Sequence, residues 1–312
     1  MQPSTILFSK NRKSVLHDTG RYYQCASISK VFCAIAIMQL VEKQVLDLDT
    51  NVNSYLHSWK LEDSNGTSTE NVTIAHLLSH TGALSVQGFS GYSPNAAVPS
   101  LLEILNGSGH ANNSKVYCIG TPGKQFKYSG GGTTVLQQII EDVTGSTYED
   151  YILQHVIKAI PGCQGTFVTP ETDAIACGSI GNEVLPNCYN LYPELAAAGL
   201  WMRPESLGLF LSELLDIASG KDGIIKAETF KNTCQPLFPA RNNNYIGLGI
   251  FISNDKRFFF HTGWNLGYRS LLVGSIDGKD GCIAMVNNDS GMKAIQDILS
   301  FTPFATFVAS LS

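Results

Sequence analysis

The chain has 312 residues, of which 44% are hydrophobic and 15% are charged, and its formal net charge is −5. This length and apolar fraction allow one large two-lobed domain or two smaller ones, each with a core of its own. No Lys/Arg-rich run occurs, which argues against nucleic acid and anionic membranes as partners, and no segment reaches the ~18 uncharged apolar residues of a membrane span.

The first part of the chain predicts two strands and a buried helix. Residues 4–9 and 14–17 are strand-like segments joined by a short polar turn, which is typical of a hairpin. Residues 27–43 are apolar nearly all round, as in a helix that is buried on every side. A short helix is predicted at 74–80. The Gly-, Pro- and Ser-rich connection 88–127 is long enough to indicate a functional loop.

The remaining chain changes from helices to strands. Amphipathic helices are predicted at 133–144, 148–159 and 204–218. The last third contains four short apolar segments separated by tight polar turns, followed by a closing helix. The strands are predicted at 246–252, 257–261, 270–276 and 281–286, and the helix at 293–301.

Strands at both ends and helices in the middle predict an α+β fold. One antiparallel sheet, flanked by helices, would be built from both termini. The α/β lobe would comprise residues 1–60 and about 195–312, and a mostly helical lobe of about 61–194 would be inserted into it. We expect the active-site cleft between these two lobes.

Ser27 and Lys30 form an S-x-x-K pattern at the start of the first helix. Positions i and i+3 share one face of a helix, so the hydroxyl and the amine can meet without help from a distant residue. A serine is a weak nucleophile until a base takes its proton, and burial favours the neutral lysine that such a base must be. The pattern also arises by chance, and a serine at a helix start is often only an N-cap.

Two further segments give this pattern its context. Tyr128 lies in a loop before a glycine run, where its phenol could relay a proton. His261, Thr262 and Gly263 end a strand that is expected to face the cleft. Taken singly, Tyr128 is also explained as a half-buried aromatic residue and His261 as a strand-end histidine.

The three segments, in this order and at these separations, resemble the signature of the serine β-lactamase and penicillin-binding-protein superfamily, S-x-x-K, Y-x-N and K-T-G. The chain is most similar to the class C β-lactamase-like branch, which includes esterases, D-aminopeptidases and D,D-carboxypeptidases. Additional segments that resemble family landmarks lie at 46–49, 76–82, 199–201 and 263–268. The resemblance implies a single β-lactamase/transpeptidase-like domain overall.

The resemblance also implies roles for individual residues. Ser27 would be the nucleophile that forms an acyl-enzyme, Lys30 would share the role of base, and Tyr128 would carry the proton to the leaving group. The backbone N–H groups of Ser27 and Trp264 would form the oxyanion hole, in keeping with the positive end of a helix dipole at Ser27. Neither a metal nor a cofactor is implied.

Two positions depart from the family pattern. Gly130 stands where the family often has an Asn that holds an amide carbonyl, and His261 replaces the Lys of K-T-G. A histidine with an ordinary pKa near 6.5 is mostly neutral at pH 7, so its attraction for a substrate carboxylate should be weaker. Both changes favour ester or D-peptide hydrolysis over efficient β-lactamase action. Arg269 could supply another positive charge or be an ordinary surface residue.

The substrate would be a small ester, peptide or β-lactam held near His261, Thr262, Gly263 and Gly130. Phe89, Tyr92 and Trp264 would add an apolar wall, or would be packing residues only. The main hypothesis is a serine acyl hydrolase acting on esters or D-amino-acid amides. The alternatives are a true β-lactamase or D,D-carboxypeptidase, and a catalytically silent binding module on the same fold.

The chain as given shows no signal-peptide pattern at its start, which predicts a cytoplasmic protein, or a periplasmic or secreted one if a leader has been removed. The eight cysteines are scattered and have no metal-ligand spacing, which favours reduced thiols. Cys177 and Cys188 are the pair suited to a loop-closing disulfide. We expect a monomer or a weak oligomer.

Overall fold

A computed structural model describes residues 3–9, 12–17, 20–64, 69–308 and 311, with the backbone only for the first two ranges. The centres of the predicted hairpin turn, Lys10 and Asn11, lie outside the described residues.

The largest element is an eight-stranded antiparallel sheet. Its strands are β1 Pro3–Ser9, β2 Arg12–His17, β8 Phe238–Pro239, β9 Tyr245–Ile246, β10 Phe251–Ile252, β11 Phe258–Asn265, β12 Tyr268–Ser275 and β13 Asp280–Val286. They lie in the order β2-β1-β13-β12-β11-β10-β9-β8. Strand β1 pairs with β13 in a register that runs from Pro3 opposite Val286 to Ser9 opposite Asp280. The prediction of one sheet built from both termini is therefore confirmed.

Smaller strands form two further sheets. Strand β3 (Tyr23–Gln24) pairs with β7 (Trp201–Met202), which also pairs with β4 (Gly165–Thr166). Strands β5 (Ser179–Ile180) and β6 (Glu183–Val184) form a separate hairpin. Strand β3, in the first of these sheets, comes just before the first helix, so its pairing with β7 fixes where that helix begins.

Alternating side chains of the central strands enter two cores. On β11, Phe259 belongs to the main core, whereas Phe258 and Phe260 belong to a second core on the opposite face of the sheet. This division follows from the two-residue period of a strand. Each large apolar side chain buried in this way contributes roughly 1.5–3 kcal/mol. The sheet is therefore covered by apolar residues on both faces.

Helices cover these faces and form the rest of the chain. They are α1 Ser29–Glu42, α2 Ile74–Leu78, α3 Leu101–Asn106, α4 Gly130–Thr144, α5 Tyr148–Ile152, α6 Pro204–Ala218, α7 Ala227–Thr233, α8 Met292–Leu299 and α9 Ala305–Val308. Helix α6 packs on the main-core face of β12 and β13, and α8 packs on the other face. Within the described ranges no helix is long and apolar enough to span a membrane.

Helix α1 is buried along nearly its whole length, as its apolar sequence predicts. It packs against α4 and against the short π-helical turn Leu195–Gly199. The ring of Phe32 stacks on that of Phe210 in α6, with centroids 3.8 Å apart. The helix therefore stands at the centre of the molecule, and its N-terminal end is held from several sides.

The prediction of one strand over residues 246–252 was wrong. The segment forms two short strands, β9 and β10, which pair with each other. Gly249 adopts a left-handed φ of +81°, and a Cβ there would lie 2.5 Å from Cβ of Ala34 in α1. The chain turns back at this point because it must pass close to α1, which only a glycine permits.

One disulfide is present among the described residues. Cys177 and Cys188 are bonded, with their Cα atoms 4.3 Å apart. The other six cysteines are buried thiols outside any disulfide, at positions 25, 33, 118, 163, 234 and 282. The pair singled out from the sequence is thus the bonded pair, and the prediction of reduced thiols applies to the rest.

Candidate active site

Ser27 lies on a 3-10 turn, Ala26–Ile28, that leads directly into α1. Ala26 has a left-handed φ of 50°, which is uncommon for a residue with a side chain and is found mainly where neighbouring structure imposes it. The turn is tied down on both sides: Cys25 N–H donates to Leu200 O at 2.8 Å, and Ser270 Oγ donates to Cys25 O at 2.8 Å. These contacts fix the position of the Ser27 hydroxyl.

Lys30 reaches Ser27 as the i, i+3 spacing predicts. Its Nζ donates to Ser27 Oγ at 3.1 Å and to Ala197 O at 2.7 Å. It also lies 5.2 Å from the centroid of the Tyr128 ring. Lys30 is only 5% exposed, so its amine is held away from bulk water by these contacts. A hydroxyl and an amine at this distance can exchange a proton.

Tyr128 faces Lys30 from the segment before α4, with His80 behind it. The two rings are 4.4 Å apart, and Nδ1 of His80 accepts a hydrogen bond from Ser129 N–H at 3.2 Å. Burial, reinforced by the charges of Lys30 and His261, holds the pKa of His80 well below its usual value. His80 is therefore a neutral support for Tyr128. His80 lies in the family-like segment 76–82, and no role was predicted for it.

The helix after Tyr128 begins earlier than predicted. Helix α4 starts at Gly130 rather than at residue 133, because the hydroxyl of Ser129 caps it by accepting from Gly132 N–H at 2.9 Å. The same hydroxyl donates to Val86 O at 2.6 Å. This cap holds the Tyr128 segment against the chain that carries Phe89.

His261 is a neutral hydrogen-bond acceptor in this structure. Its Nδ1 lies 2.7 Å from Thr262 O, and a carbonyl oxygen can only accept, so Nδ1 carries the proton. The ring is 1% exposed, and Nε2 has no hydrogen-bond partner among the described residues. Burial, together with the charge of Lys30, lowers the pKa of His261 to about 3. The ordinary pKa assumed from the sequence is therefore corrected, and the case for a carboxylate-binding cation is weaker still.

His261 and its neighbours lie inside a strand and not at its end, because β11 continues to Asn265. Gly263 is required there by close packing: a Cβ would lie 2.0 Å from Ser270 Oγ and 2.5 Å from Cys25 O. The strand can approach the Ser27 turn this closely only because position 263 has no side chain. Asn265 adds a hydrogen bond from Nδ2 to Ala198 O at 3.1 Å.

The backbone N–H of Trp264 points away from β12. Asn265 and Tyr268 flank the two-residue turn of the β11–β12 hairpin and form a hydrogen-bonded pair, and such pairs alternate along an antiparallel ladder. Trp264, opposite Arg269, therefore belongs to a pair that is not hydrogen-bonded. Strand β10 pairs with β11 only at Phe259 and Phe260, so this backbone is not covered by β10.

The side chains of Trp264 and Arg269 form one cluster with Asp289. Trp264, which is 61% exposed, donates from Nε1 to Asp289 Oδ1 at 2.8 Å. The guanidinium of Arg269 stacks over the indole at 4.4 Å, and its Nε donates to Asp289 O at 2.6 Å. Arg269 is thus engaged by an acid and an aromatic ring. It is neither a simple surface residue nor an uncompensated charge.

These groups line a cleft of about 850 Å³. Ser27, Lys30, Tyr128, His261 and Thr262 all contribute to its walls. Six of the other lining residues are aromatic: Phe89, Phe126, Tyr192, Phe251, Phe260 and Trp264. Four of these six, at positions 126, 192, 251 and 260, were not predicted. They come from separate parts of the chain, and no sequence pattern links them.

The prediction that Tyr92 lines the cleft was wrong. Its ring is buried, and its hydroxyl accepts a hydrogen bond from Asn112 N–H at 3.0 Å. The backbone N–H of Tyr92 also donates to Leu191 O at 2.8 Å. Tyr92 is therefore a packing residue that fixes the long connection, whereas Phe89 from the same connection does reach the cleft.

Gly130 lies behind Phe89. A Cβ at position 130 would lie 2.8 Å from Cε2 of Phe89 and 3.2 Å from Gln87 O. The space that a side chain at 130 would need is therefore taken by an aromatic ring. Position 130 has no side-chain amide, and the apolar ring of Phe89 lies beside it.

The described residues contain no group of three or more His, Cys, Asp or Glu side chains arranged to hold a metal ion.

Comparisons with known proteins agree with this geometry. A family model described as Beta-lactamase matches residues 7–298. Protein flp of Staphylococcus aureus (strain MW2) is 24% identical over 312 residues, covering 92% of this chain and 60% of that protein. The chain thus spans about 60% of the length of this curated relative.

Solved structures share the fold. The octameric penicillin-binding protein homologue from Pyrococcus abyssi superposes with a TM-score of 0.77 at 22% identity, covering 97% of this chain and 74% of that one. The D-amino acid amidase from Ochrobactrum anthropi SV3 gives a TM-score of 0.72 at 19% identity, covering 92% and 86%. With the family match over most of its length, the chain belongs to the Beta-lactamase family, whose members of β-lactamase and penicillin-binding-protein type are serine hydrolases.

Proposed function

We propose that this protein is a serine acyl hydrolase that forms an acyl-enzyme on Ser27 and acts on uncharged carboxylic esters or D-amino-acid amides. The observation that carries the proposal is the 3.1 Å contact between Lys30 Nζ and Ser27 Oγ in a buried site. This contact joins a nucleophile to a base, which is the arrangement that acyl transfer requires.

The proposed reaction has two stages. Lys30, with Tyr128, takes the proton of Ser27 as Oγ attacks the substrate carbonyl. The oxyanion would be held by the backbone N–H groups of Ser27 and Trp264, of which the second faces away from β12. The proton then passes through Tyr128 to the leaving group as the bond between the carbonyl carbon and the leaving group breaks. The acyl group remains bonded to Ser27 Oγ. A water molecule attacks this ester, which releases the acid and returns the proton to Ser27.

The walls of the cleft support a substrate without a carboxylate. His261 is a neutral, buried ring and not a cation, so it offers no positive charge to a substrate carboxylate. Arg269 is already engaged by Asp289. Phe89 fills the space beside Gly130 where an amide would recognise a peptide or β-lactam carbonyl. Arg241, a further cation of the cleft lining, lies exposed at the rim.

The description of one solved relative fits a substrate without a carboxylate, and the description of another fits the alternative. One is described as a D-amino acid amidase and another as a penicillin-binding protein homologue. An amide of a D-amino acid has no carboxylate next to its scissile bond, whereas a penicillin does. The alternatives, a β-lactamase or D,D-carboxypeptidase and a silent binding module, predict a covalent penicillin adduct and no adduct at all, respectively.

A fluorophosphonate probe tests the proposal. We expect it to label the wild-type protein and to fail to label Ser27→Ala, because the probe reacts with an activated serine. Ser90→Ala is the matched control, since Ser90 also lines the cleft and has no lysine partner in the proposed scheme. Turnover of p-nitrophenyl butyrate should exceed turnover of nitrocefin. Labelling that persists in Ser27→Ala would contradict the proposal.

A further inference from the structure

A disulfide closes the loop 178–187, which is described in full and lies outside the lining of the cleft. Cys177 and Cys188 are bonded and half-buried, and most of the loop between them is exposed. Cys188 has a left-handed φ of 65°, which is uncommon for a residue with a side chain. Across the base of the loop, Gly178 N–H donates to Cys188 O at 2.7 Å. The disulfide therefore joins the two ends of a largely exposed loop.

The base of this loop packs against the turn that joins β11 to β12. The hydroxyl of Tyr268 donates to Cys188 O at 3.1 Å. Ser179 N–H donates to Gly267 O at 3.4 Å. Gly267 has a left-handed φ of +80°, and a Cβ there would lie 3.0 Å from Cα of Gly178. The backbone of the turn and the backbone of the loop are therefore in direct contact.

The chain that follows the disulfide holds the same turn from the cleft side. Tyr192 lines the cleft, and its hydroxyl accepts a hydrogen bond from Leu266 N–H at 3.0 Å. Asn265 Nδ2 donates to Ala198 O at 3.1 Å. The contacts that fix the turn thus begin at Cys188 and continue along the chain to Ala198.

Trp264 directly precedes this turn, and its side chain is also anchored to the loop. Its Nε1 donates to Asp289 Oδ1 at 2.8 Å, and Asp289 N–H donates to Ser179 O at 2.9 Å. The backbone after Trp264 and the anchor of its indole therefore both depend on the disulfide-closed loop. A shift of the loop would move the Trp264 N–H, and a donor stabilises an oxyanion only over a narrow range of distances.

We propose that the Cys177–Cys188 disulfide positions the Trp264 N–H, so that reduction of this disulfide slows acylation of Ser27. This inference rests on the proposed function. A dithiol reagent supplies the two electrons and two protons: its thiolate attacks one sulfur and releases the other cysteine, and its second thiol then releases the first. The S–S bond of the protein breaks, two S–H groups form, and the reagent becomes a cyclic disulfide. Both cysteines act as positioning residues.

Reduction should lower the rate constant for fluorophosphonate labelling of Ser27 about tenfold. Complete loss of an oxyanion donor costs ~10²–10³ in rate, and a displaced donor should cost less. For p-nitrophenyl butyrate, kcat should fall while KM changes little, because the donor acts mainly on the transition state. A purely structural role predicts instead that a smaller fraction of the protein is labelled, at an unchanged rate constant.

The experiment compares the full chain before and after treatment with dithiothreitol, with reduction followed by alkylation and mass measurement. The other six cysteines form no disulfide, so the reagent has one bond to act on. The double variant Cys177→Ser/Cys188→Ser gives the same measurement without a reductant. It is also the matched control, because dithiothreitol should not change its rate. Cys177→Ala/Cys188→Ala is the second variant, in case the serine variant does not fold.

The outcomes separate the two proposals. A rate constant about tenfold lower at full labelling stoichiometry, in the reduced protein and in a folded double variant, supports the role of the disulfide. An unchanged rate constant in a folded double variant overturns it, and so does a loss confined to the labelled fraction. Absence of labelling in the oxidised wild-type protein would instead overturn the proposed function.

Discussion

The two sides of the cleft differ in how their polar groups are arranged. On one side Ser27, Lys30 and Tyr128 are close together and supported by backbone hydrogen bonds. On the other side His261 is a neutral acceptor, and Phe89 stands beside a glycine. The side that would perform the chemistry has its three predicted groups close together, and the side that would recognise the substrate presents a neutral ring and an apolar wall. We therefore expect bond breaking and substrate choice to be separable in this cleft.

The groups on the first side are brought together by their spacing within one short segment, whereas those on the other side come from distant parts of the chain. Ser27 and Lys30 meet because they are three residues apart on one helical turn. The recognition side is assembled from β11, the long connection and the segment before α4. We therefore expect single changes at positions such as 130 and 261 to alter recognition without disturbing Ser27. Three sets of variants test this separation.

The first prediction concerns the side that performs the chemistry. Lys30→Met and Tyr128→Phe should each lower ester turnover at least about 100-fold, because each removes a group that moves the Ser27 proton. The two losses should not add in the double variant, since both groups act on one proton. Stopped-flow or steady-state assays with p-nitrophenyl butyrate give the measurement. Full turnover in Lys30→Met would show that another base activates Ser27.

The second prediction concerns the contact between the two sides. Gly263→Ala should lower the free energy of unfolding by about 2 kcal/mol or more and should also reduce labelling of Ser27, because the new Cβ would collide with Cys25 O and Ser270 Oγ. Gly120→Ala is the matched control, since a Cβ there lies at an ordinary 3.4 Å from Ala83. Denaturant melts and labelling rates provide the test. Equal stability of the two variants would contradict the close approach.

The third prediction concerns the recognition side only. His261→Lys should raise acylation by a fluorescent penicillin about tenfold, because a cation replaces a neutral ring, while turnover of a neutral ester changes little. In the wild-type protein, inhibition by simple carboxylic acids should stay flat as the pH falls from about 8 to 5, because the pKa of His261 is lowered to about 3. Inhibition that strengthens below about pH 6.5 would show that His261 becomes charged.

Much of the fold and the centre of the site could be predicted from the sequence. Helix α6 was predicted at its observed bounds, and strands β12 and β13 were predicted close to theirs, because their periodicity and turn residues are local signals. The contact of Ser27 with Lys30 was predicted for the same reason. The lobe boundaries near residues 60 and 195 stay a prediction.

Other features could not be predicted because they depend on packing between distant segments. The division of residues 246–252 follows from the approach of Gly249 to α1, and the burial of Tyr92 follows from its bond with Asn112. His80 carries no motif that marks a role, and only its contacts in the folded chain place it behind Tyr128.

From the residues and their spacing alone it follows that a serine and a lysine share a helical face, that an aromatic residue and a histidine occur in the order typical of one family, and that strands at both ends enclose a helical middle. The charges and hydrogen bonds of the site follow only from the tertiary structure. In the folded chain the ring of His261 is buried and neutral, Arg269 contacts Asp289, and Glu194 lies in the turn that binds Lys30. The physical reason is that charge and hydrogen bonding depend on burial and on neighbours far apart in the chain, which spacing along a sequence does not record.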